Sequence, residues 1–433
     1  MYPWAQFHPT LHKLLSNSLK LNQYLLSTTI QHNTYNQFNN TEKAKQYNNI
    51  WIHGSTGTGK TLAYLIPIVN KLLYQNSNHQ NIYNNTIIVL PHTSLIQQVQ
   101  YVINKLCHNI QVEDHNQHIS CQIIDNNTTR INSSILLGKP IDIHSLITTT
   151  GTASVPYDIS ALEHIVIDEA DQQLIPKSQY GDYSSELLHY SDDSITSNLL
   201  THILQHNNTI QSIFVSATIS DSVLHRLDKH GYYGERSITQ INNCVDQPTG
   251  ILQQSRDQVH TPAALQHCVY YTDTNNSRSE SDNLYAGSDT RDACIAIQQL
   301  MKQQCGHALY LCLDATLHST ERELDLLNVE YNMLSDELNN INELYAQLHS
   351  SSSNNLLLLG SVNTVRGLDL PNISTVYIGV PMSIITQHTY MHAAGRVARA
   401  GQHGTSILLI KQYDKFRLNQ LSKQCNITFE QMN

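Results

Sequence analysis

Eight residues, Gly54-Ser55-Thr56-Gly57-Thr58-Gly59-Lys60-Thr61, stand between a short apolar run, Ile50-Trp51-Ile52, and an apolar stretch, Leu62-Ala63-Tyr64-Leu65-Ile66, that reads as the first turns of a helix. A strand that turns through glycines into a helix is half of a βαβ unit, so it commits the surrounding chain to a parallel sheet. The run fits G-x-x-x-x-G-K-[ST]. Its glycines let the backbone wrap with successive N–H groups facing inward, and the helix N-terminus adds its positive dipole end at the same point. That is a cradle for phosphate groups. Lys60 suits the oxygens of a β- and γ-phosphate, the Thr61 hydroxyl suits Mg²⁺, and Gly54 to Gly59 supply the wrap. An ordinary glycine-rich turn explains half of this pattern but not Lys-Thr directly after the last glycine.

The same alternation continues. Residues 50–52, 86–90, 147–149, 165–167 and 213–215 read as strands, with helical spacing of apolar residues over 62–73 and 94–106. It then repeats, with strands expected at 266–271, 308–313, 356–359, 375–378 and 406–410. The fold class is therefore α/β, two sheets flanked by helices on both faces. Between the halves the composition turns polar, with Pro248, Gly250 and Pro262. This sets a first domain at 1–236, a linker at 237–262 and a second domain at 263–433. Polar stretches at 176–194 and 272–290 read as surface insertions, and 350–355 as a low-complexity loop.

Composition bounds the partners. Over 433 residues, 25 Lys and Arg face 35 Asp and Glu, a net charge of −10, and both halves carry the same excess of acid. No Lys/Arg run exists, so contact with nucleic acid must come from a local groove or an accessory protein, which argues against a stand-alone nonspecific binder. No apolar run approaches the length of a membrane span, and no membrane partner is expected. The eight cysteines form no C-x-x-C pair and read as reduced thiols of an intracellular protein, cytoplasmic or nuclear, with an organelle left open. The first 41 residues hold no acid and only Lys13 and Lys20 as strong bases, fewer than a transit peptide carries, and residues 11–26 fit a helix equally well. The 24 histidines are dispersed and define no metal site.

A second constellation follows the apolar run 164–167: Asp168-Glu169-Ala170-Asp171. A carboxylate at the end of a parallel strand faces the mouth of the sheet, where such folds bind ligands. Asp168 suits Mg²⁺, partly through water, and Glu169 suits the orientation and deprotonation of an attacking water.

Asp-Glu-Ala-Asp, with Ser216-Ala217-Thr218 after Ile213-Phe214-Val215, resembles the DEAD-box RNA helicase family. Further signatures follow the family's order along nearly the whole chain. Ser27-Thr28-Thr29-Ile30-Gln31 resembles its adenine-reading element, with Gln31 in the discriminating place, although the family's upstream aromatic is not clearly present. Arg366-Gly367-Leu368-Asp369 resembles R-G-[IL]-D, where the Asp contacts the ribose of ATP. His392-Ala393-Ala394-Gly395-Arg396-Val397-Ala398-Arg399 resembles H-R-I-G-R-T-G-R, which makes Arg396 and Arg399 the guanidinium groups directed at the γ-phosphate. The resemblance implies that Ser216 and Thr218 bond toward Asp171 and, with His392, couple the phosphate site to domain closure.

Departures from the family concentrate on positions that grip RNA. Pro91-His92-Thr93-Ser94-Leu95-Ile96 lacks the basic residue expected at 93, and Thr149-Thr150-Gly151-Thr152 lacks its Arg. Ser361-Val362 replaces Thr-Asp ahead of Arg366, residues 339–342 align only loosely with Q-x-x-R, and Ala393 replaces an Arg. Pro91, Thr93, Thr149, Gly151, Ser361, Arg366 and Gly367 remain as candidate RNA contacts, and of these Thr93, Thr149, Gly151 and Ser361 can still donate hydrogen bonds to phosphates.

The resemblance implies two tandem RecA-like domains with ATP and Mg²⁺ between them, driving local, non-processive remodelling or unwinding of RNA by a protein expected to be monomeric. Its RNA grip is expected to be weak. An ATP-gated RNA clamp or assembly scaffold is the alternative, and a DNA-translocating relative and a small-molecule phosphotransferase are more distant ones.

Overall fold

The computed structural model describes residues 34, 49–54, 59–77, 85–107, 119–128, 130–148, 157–174, 194–217, 223, 227, 238–242, 264–272, 288–304, 306–334, 341–349, 355–398 and 403–432. Residues 11–26, Gln31, Ser55, Thr56, Gly57, Thr58, Thr149, Gly151, Thr218 and Arg399, and most of the stretches 176–194, 272–290 and 350–355, lie outside them. The chain divides into two compact units, 1–257 and 258–433.

The first unit is built on β1 (Asn49–His53), β2 (Thr86–Val89), β3 (Cys121–Ile124), β4 (Ile135–Gly138), β5 (His164–Asp168), β6 (Gln211–Ser216) and β7 (Ile238–Asn242). They stand in the order β3-β4-β2-β5-β6-β1-β7, and every pairing is parallel. Its helices are α1 (Lys60–Ser77), α2 (Thr93–Cys107), α3 (Pro140–Thr148), the short α4 (Ala170–Gln173) and α5 (Ile195–His206). Strand residues alternate between two cores, as a period of two requires. Ile50, Ile52, Ile88, Val166 and Ile213 pack with α1 and α2. Trp51, Ile87, Ile165, Ile167 and Phe214 pack on the opposite face with Ile143 of α3 and Leu199, Leu200 and Ile203 of α5. Trp51 stacks on Phe214 with ring centroids 5.6 Å apart.

Two sequence expectations are corrected here. Residues 147 and 148 are not strand but the last turn of α3, a helix that opens on Pro140, where the missing N–H costs nothing, and carries Asp142 in its first turn. Residues 238–242, placed in the linker from their polar composition, are β7, paired in register with all five residues of β1. β3 and β4 are strands the alternation did not reveal.

The second unit repeats the plan with β8 (Leu265–Tyr271), β9 (His307–Cys312), β10 (Asn332–Leu334), β11 (Leu357–Ser361), β12 (Ile373–Ile378), β13 (Gly404–Ile410) and β14 (Glu430–Gln431), ordered β10-β11-β9-β12-β13-β8-β14 and all parallel. α6 (Ser288–Met301) and α7 (Leu317–Leu326) cover one face, and α8 (Ile341–His349), α9 (Gln387–Ala394) and α10 (Lys415–Cys425) the other. β10 and β14, three and two residues long, escape a sequence reading by their brevity. Among the described residues no helix is long and apolar enough to cross a membrane.

Candidate functional site

Parallel strands put their carboxyl ends on one edge, and in the first unit that edge collects the candidate residues. β1 ends at His53 and the chain enters the phosphate loop at Gly54, whose N–H donates to the Ser216 carbonyl at 3.3 Å. The loop leaves through Gly59, at φ 82°, a left-handed conformation that an L side chain resists. α1 begins at once, with Ala63 N–H donating to the Gly59 carbonyl at 3.0 Å. The Lys60 ammonium donates to the Gly54 carbonyl at 2.8 Å.

β5 delivers the carboxylates. Asp168 and Glu169 are each 4 % exposed. Glu169 sits in the left-handed region, φ 51° and ψ 49°, at the start of α4, the sharp turn between strand and helix. Asp168 is held on both oxygens: Oδ1 accepts from the Glu169 N–H at 2.9 Å, and Oδ2 accepts from the Tyr64 hydroxyl at 3.0 Å. Burial first, then the neighbouring Glu169 charge, pushes Asp168 up to about 7, against the pull of the Tyr64 hydrogen bond and the Lys60 charge. Burial, then the Asp168 charge, pushes the Tyr64 hydroxyl well above its ordinary range, which keeps it a donor. Two buried carboxylates beside one lysine form an acid-rich oxygen set, which suits a hard cation. Among the described residues no group of three or more His, Cys, Asp or Glu is placed to hold a metal ion.

Other residues that lock this edge carry no motif. Gln173 on α4 reaches the carbonyls of Val89, at 3.0 Å, and of Asp168, tying β2 to β5. Gln172 Nε2 lies 3.0 Å from His92 Nε2 beside the start of α2, where Pro91 and Thr93 stand. Asp171 Oδ1 accepts from the Gln172 N–H at 3.0 Å, and the His53 ring meets the Ala217 carbonyl at 3.2 Å. Glutamines at 172 and 173, one residue past an acidic tetrad, are the sequence signal for this brace. Tyr64, three residues after Thr61 on α1, is the sequence signal for the hydroxyl on Asp168.

In the second unit the turn after β11 and the end of α9 are knitted together. Gly367 turns at φ 79°. The Arg366 guanidinium meets His392 Nε2 at 3.2 Å. Arg396 is 2 % exposed and donates from Nε to the His392 carbonyl at 3.0 Å and from Nη1 to the Leu368 carbonyl at 2.7 Å. Rather than projecting, this arginine staples one motif to the other. Asp369 is exposed, and its carbonyl accepts from Tyr345 at 2.9 Å.

Ser361 departs from the expected phosphate donor. Its side chain is fully buried and its oxygen accepts from the Thr364 N–H at 3.0 Å and bonds the Thr364 hydroxyl at 2.9 Å, so it closes a turn inside the unit. Ala393, where the family has an arginine, is 2 % exposed in the core.

A glycine loop after β1 and an acid pair after β5 of an all-parallel sheet define a nucleotide-binding α/β unit of the phosphate-loop class. Residues 28–227 match the family model described as DEAD/DEAH box helicase. The chain is similar to the ATP-dependent RNA helicase DBP6 of Kluyveromyces lactis, 25 % identical over 84 % of this chain and 54 % of that protein. It is likewise similar to dbp7 of Schizosaccharomyces pombe, 26 % identical over 87 % and 55 %. It thus spans about half the length of the curated relatives it matches. Among solved structures it resembles Dbp5 of Saccharomyces cerevisiae bound to RNA and ADP BeF3, with a TM-score of 0.70 at 16 % identity, covering 100 % of this chain and 96 % of that one. It also resembles Mss116p bound to single-stranded RNA and AMP-PNP, with a TM-score of 0.68 at 18 % identity, over 98 % and 77 %. The structural likeness bears on the fold, two tandem RecA-like domains. Residues 28–227 thus match the DEAD/DEAH box helicases, and the chain is similar over most of its length to ATP-dependent RNA helicases.

Proposed function

We propose that this chain is an ATP-dependent RNA helicase that hydrolyses ATP to remodel or locally unwind RNA. The observation that supports this best is the carboxyl edge of the first sheet. There Lys60 donates to the Gly54 carbonyl and Asp168 accepts from the Glu169 N–H, in a chain similar over most of its length to ATP-dependent RNA helicases.

Lys60 exchanges the Gly54 carbonyl for β- and γ-phosphate oxygens, and the backbone of residues 54–59 wraps the phosphates. Glu169 orients the attacking water and takes its proton. Bound Mg²⁺ would draw charge from the phosphate oxygens, and Thr61 and Asp168 are the residues that would hold it. Gln31 reads adenine and Asp369 the ribose. Arg396 and Arg399 meet the charge that develops on the γ-phosphate, for which Arg396 gives up its bonds to Leu368 and His392. Asp171, Ser216, Thr218 and His392 couple hydrolysis to closure. Catalysis is positioning and electrostatics throughout.

RNA contact is assigned to Pro91, Thr93, Thr149, Gly151, Arg366 and Gly367, and the grip is weak because few of these are cations. An accessory protein that supplies RNA affinity fits this, and the compartment proposed is the cell interior. A second reading, an ATP-gated RNA clamp with little unwinding, draws support from the buried Ala393 and from Ser361, whose hydroxyl is used internally.

ATP turnover with and without RNA, beside release of a strand from a short duplex, tests both readings. A helicase shows RNA-stimulated turnover and strand release. A clamp holds RNA with a nonhydrolysable analogue and frees no strand. Lys60→Ala is expected to lower nucleotide binding and turnover by roughly a hundredfold or more, and Glu169→Gln to hold ATP without turning it over, with losses of that order. Normal turnover in either variant removes the assignment.

A further inference from the structure

We propose that Tyr64 is a positioning residue that aims Thr61 and Asp168 together at the cation accompanying the nucleotide. The inference rests on the reading of those two residues as the cation's protein partners.

Tyr64 lies in the second turn of α1, completely buried in the core formed by α1, α2 and one face of the sheet. A tyrosine there brings a hydroxyl that must find partners or pay a desolvation cost of about 1–3 kcal/mol. A phenylalanine would fill the same space without that demand. The partners it finds are not incidental packing groups. Its hydroxyl donates to Asp168 Oδ2 at 3.0 Å and is hydrogen-bonded by the Thr61 side chain.

Thr61 and Tyr64 are three residues apart on one helix, so they share a face. Asp168 arrives from β5, 104 residues away in sequence. The hydroxyl therefore adds a polar link between the helix and the carboxyl end of the strand, beside the apolar packing of Val166 against the same helix. The direction of the bonds matters. A threonine that offers a lone pair to a cation must place its hydroxyl proton on another acceptor, and the Tyr64 oxygen is placed to take it. Tyr64 in turn has one proton to give, and it goes to Asp168. The second carboxylate oxygen is fixed separately by the Glu169 N–H at 2.9 Å. The carboxylate is thereby pinned on both oxygens, with a lone pair on each left for the cation or its water. Groups that orient ligands in this way tune metal affinity strongly.

The test uses the full-length chain and Tyr64→Phe, which removes one oxygen and keeps the ring. Binding of a fluorescent ATP analogue is titrated against Mg²⁺ and again in EDTA, and Mn²⁺ binding in the presence of ADP is followed by electron paramagnetic resonance. Nucleotide affinity without metal is expected to stay within about twofold, while the metal concentration for half-maximal effect rises roughly tenfold. A structural role alone would weaken both together.

A double-mutant cycle with Asp168→Asn keeps the inference exposed if Tyr64→Phe is less stable. The tyrosine's effect on metal requirement should vanish once Asp168 is gone. Unchanged metal requirement in Tyr64→Phe, or effects that simply add in the cycle, overturns the inference and leaves the nucleotide site standing. Wild-type protein that binds the nucleotide with no response to Mg²⁺ overturns the site assignment and the inference with it.

Discussion

At the scale of single residues, what could be read in the sequence is what a ligand dictates. Phosphate demands glycines, a lysine and a hydroxyl at set spacing, so residues 54–61 declare themselves wherever they occur. Asp168 and Glu169 declare themselves by following an apolar strand. Tyr64, Gln172 and Gln173 do not, because their roles depend on Asp168, His92 and Val89, partners that the fold supplies from other elements. Arg396 is the intermediate case: its identity was legible, but its burial against Leu368 was not. Gly367 permits a test at this scale. With φ at 79°, it occupies the region where a Cβ crowds the following carbonyl. Gly367→Ala is expected to cost about 1–2 kcal/mol, read from denaturant unfolding. It should also disturb the neighbouring Leu368 carbonyl that holds Arg396, so ATP turnover should fall further than stability explains. A variant as stable as wild type would show that this turn is not constrained by its dihedral angle.

At the scale of elements, strongly apolar central strands were legible and weak or short ones were not. β5 and β6 are buried at every position. β7, with Thr239, Gln240 and Asn242 among its five residues, stands at the end of the strand order beside β1, and no hydrophobic pattern announces it. The misreading of residues 147 and 148 shows the complementary failure: a short β-branched run, Ile-Thr, cannot distinguish a strand from the last turn of a helix, and Pro140 upstream was the deciding signal. One element contact makes a pH prediction. His267 on β8, 8 % exposed, has Nδ1 2.7 Å from the hydroxyl of Tyr390 on α9, which also meets Ser406 of β13 at 3.2 Å. Burial lowers the His267 pKa to about 4. Between the ordinary histidine value near 6.5 and about 4, the unfolded chain binds the proton and the folded one does not. Stability from this histidine is therefore complete above about 6.5 and is lost as pH falls toward 4, by roughly 3 kcal/mol at most. Thermal unfolding of wild type and His267→Asn from pH 7 to 4.5 should show the wild-type advantage shrinking with acid. A constant difference would mean the ring titrates alike in both states.

At the scale of the whole molecule, charge decides how the proposed contact with RNA can be made. With 35 acidic against 25 basic residues and both halves acidic, long-range attraction toward RNA is absent, and each phosphate contact must be made locally. The positions that would make them carry Thr93 and Ala393 where the family has basic residues, and Ser361 has its hydroxyl engaged inside its own unit. Affinity for nucleic acid falls with salt in proportion to the number of phosphates neutralised, so a protein with few cationic contacts has a shallow salt slope and a low ceiling. These two features separate a weak grip from a merely salt-sensitive one. RNA binding in the presence of a nonhydrolysable ATP analogue, measured from about 50 to 200 mM salt, should change by roughly tenfold or less, against the 10³–10⁵ typical of proteins making six to ten phosphate contacts. Affinity at low salt should itself be modest, and RNA stimulation of ATP turnover should fade by moderate salt. A steep slope with tight binding at low salt would mean that cations outside the motif positions grip the strand, and would overturn the weak grip.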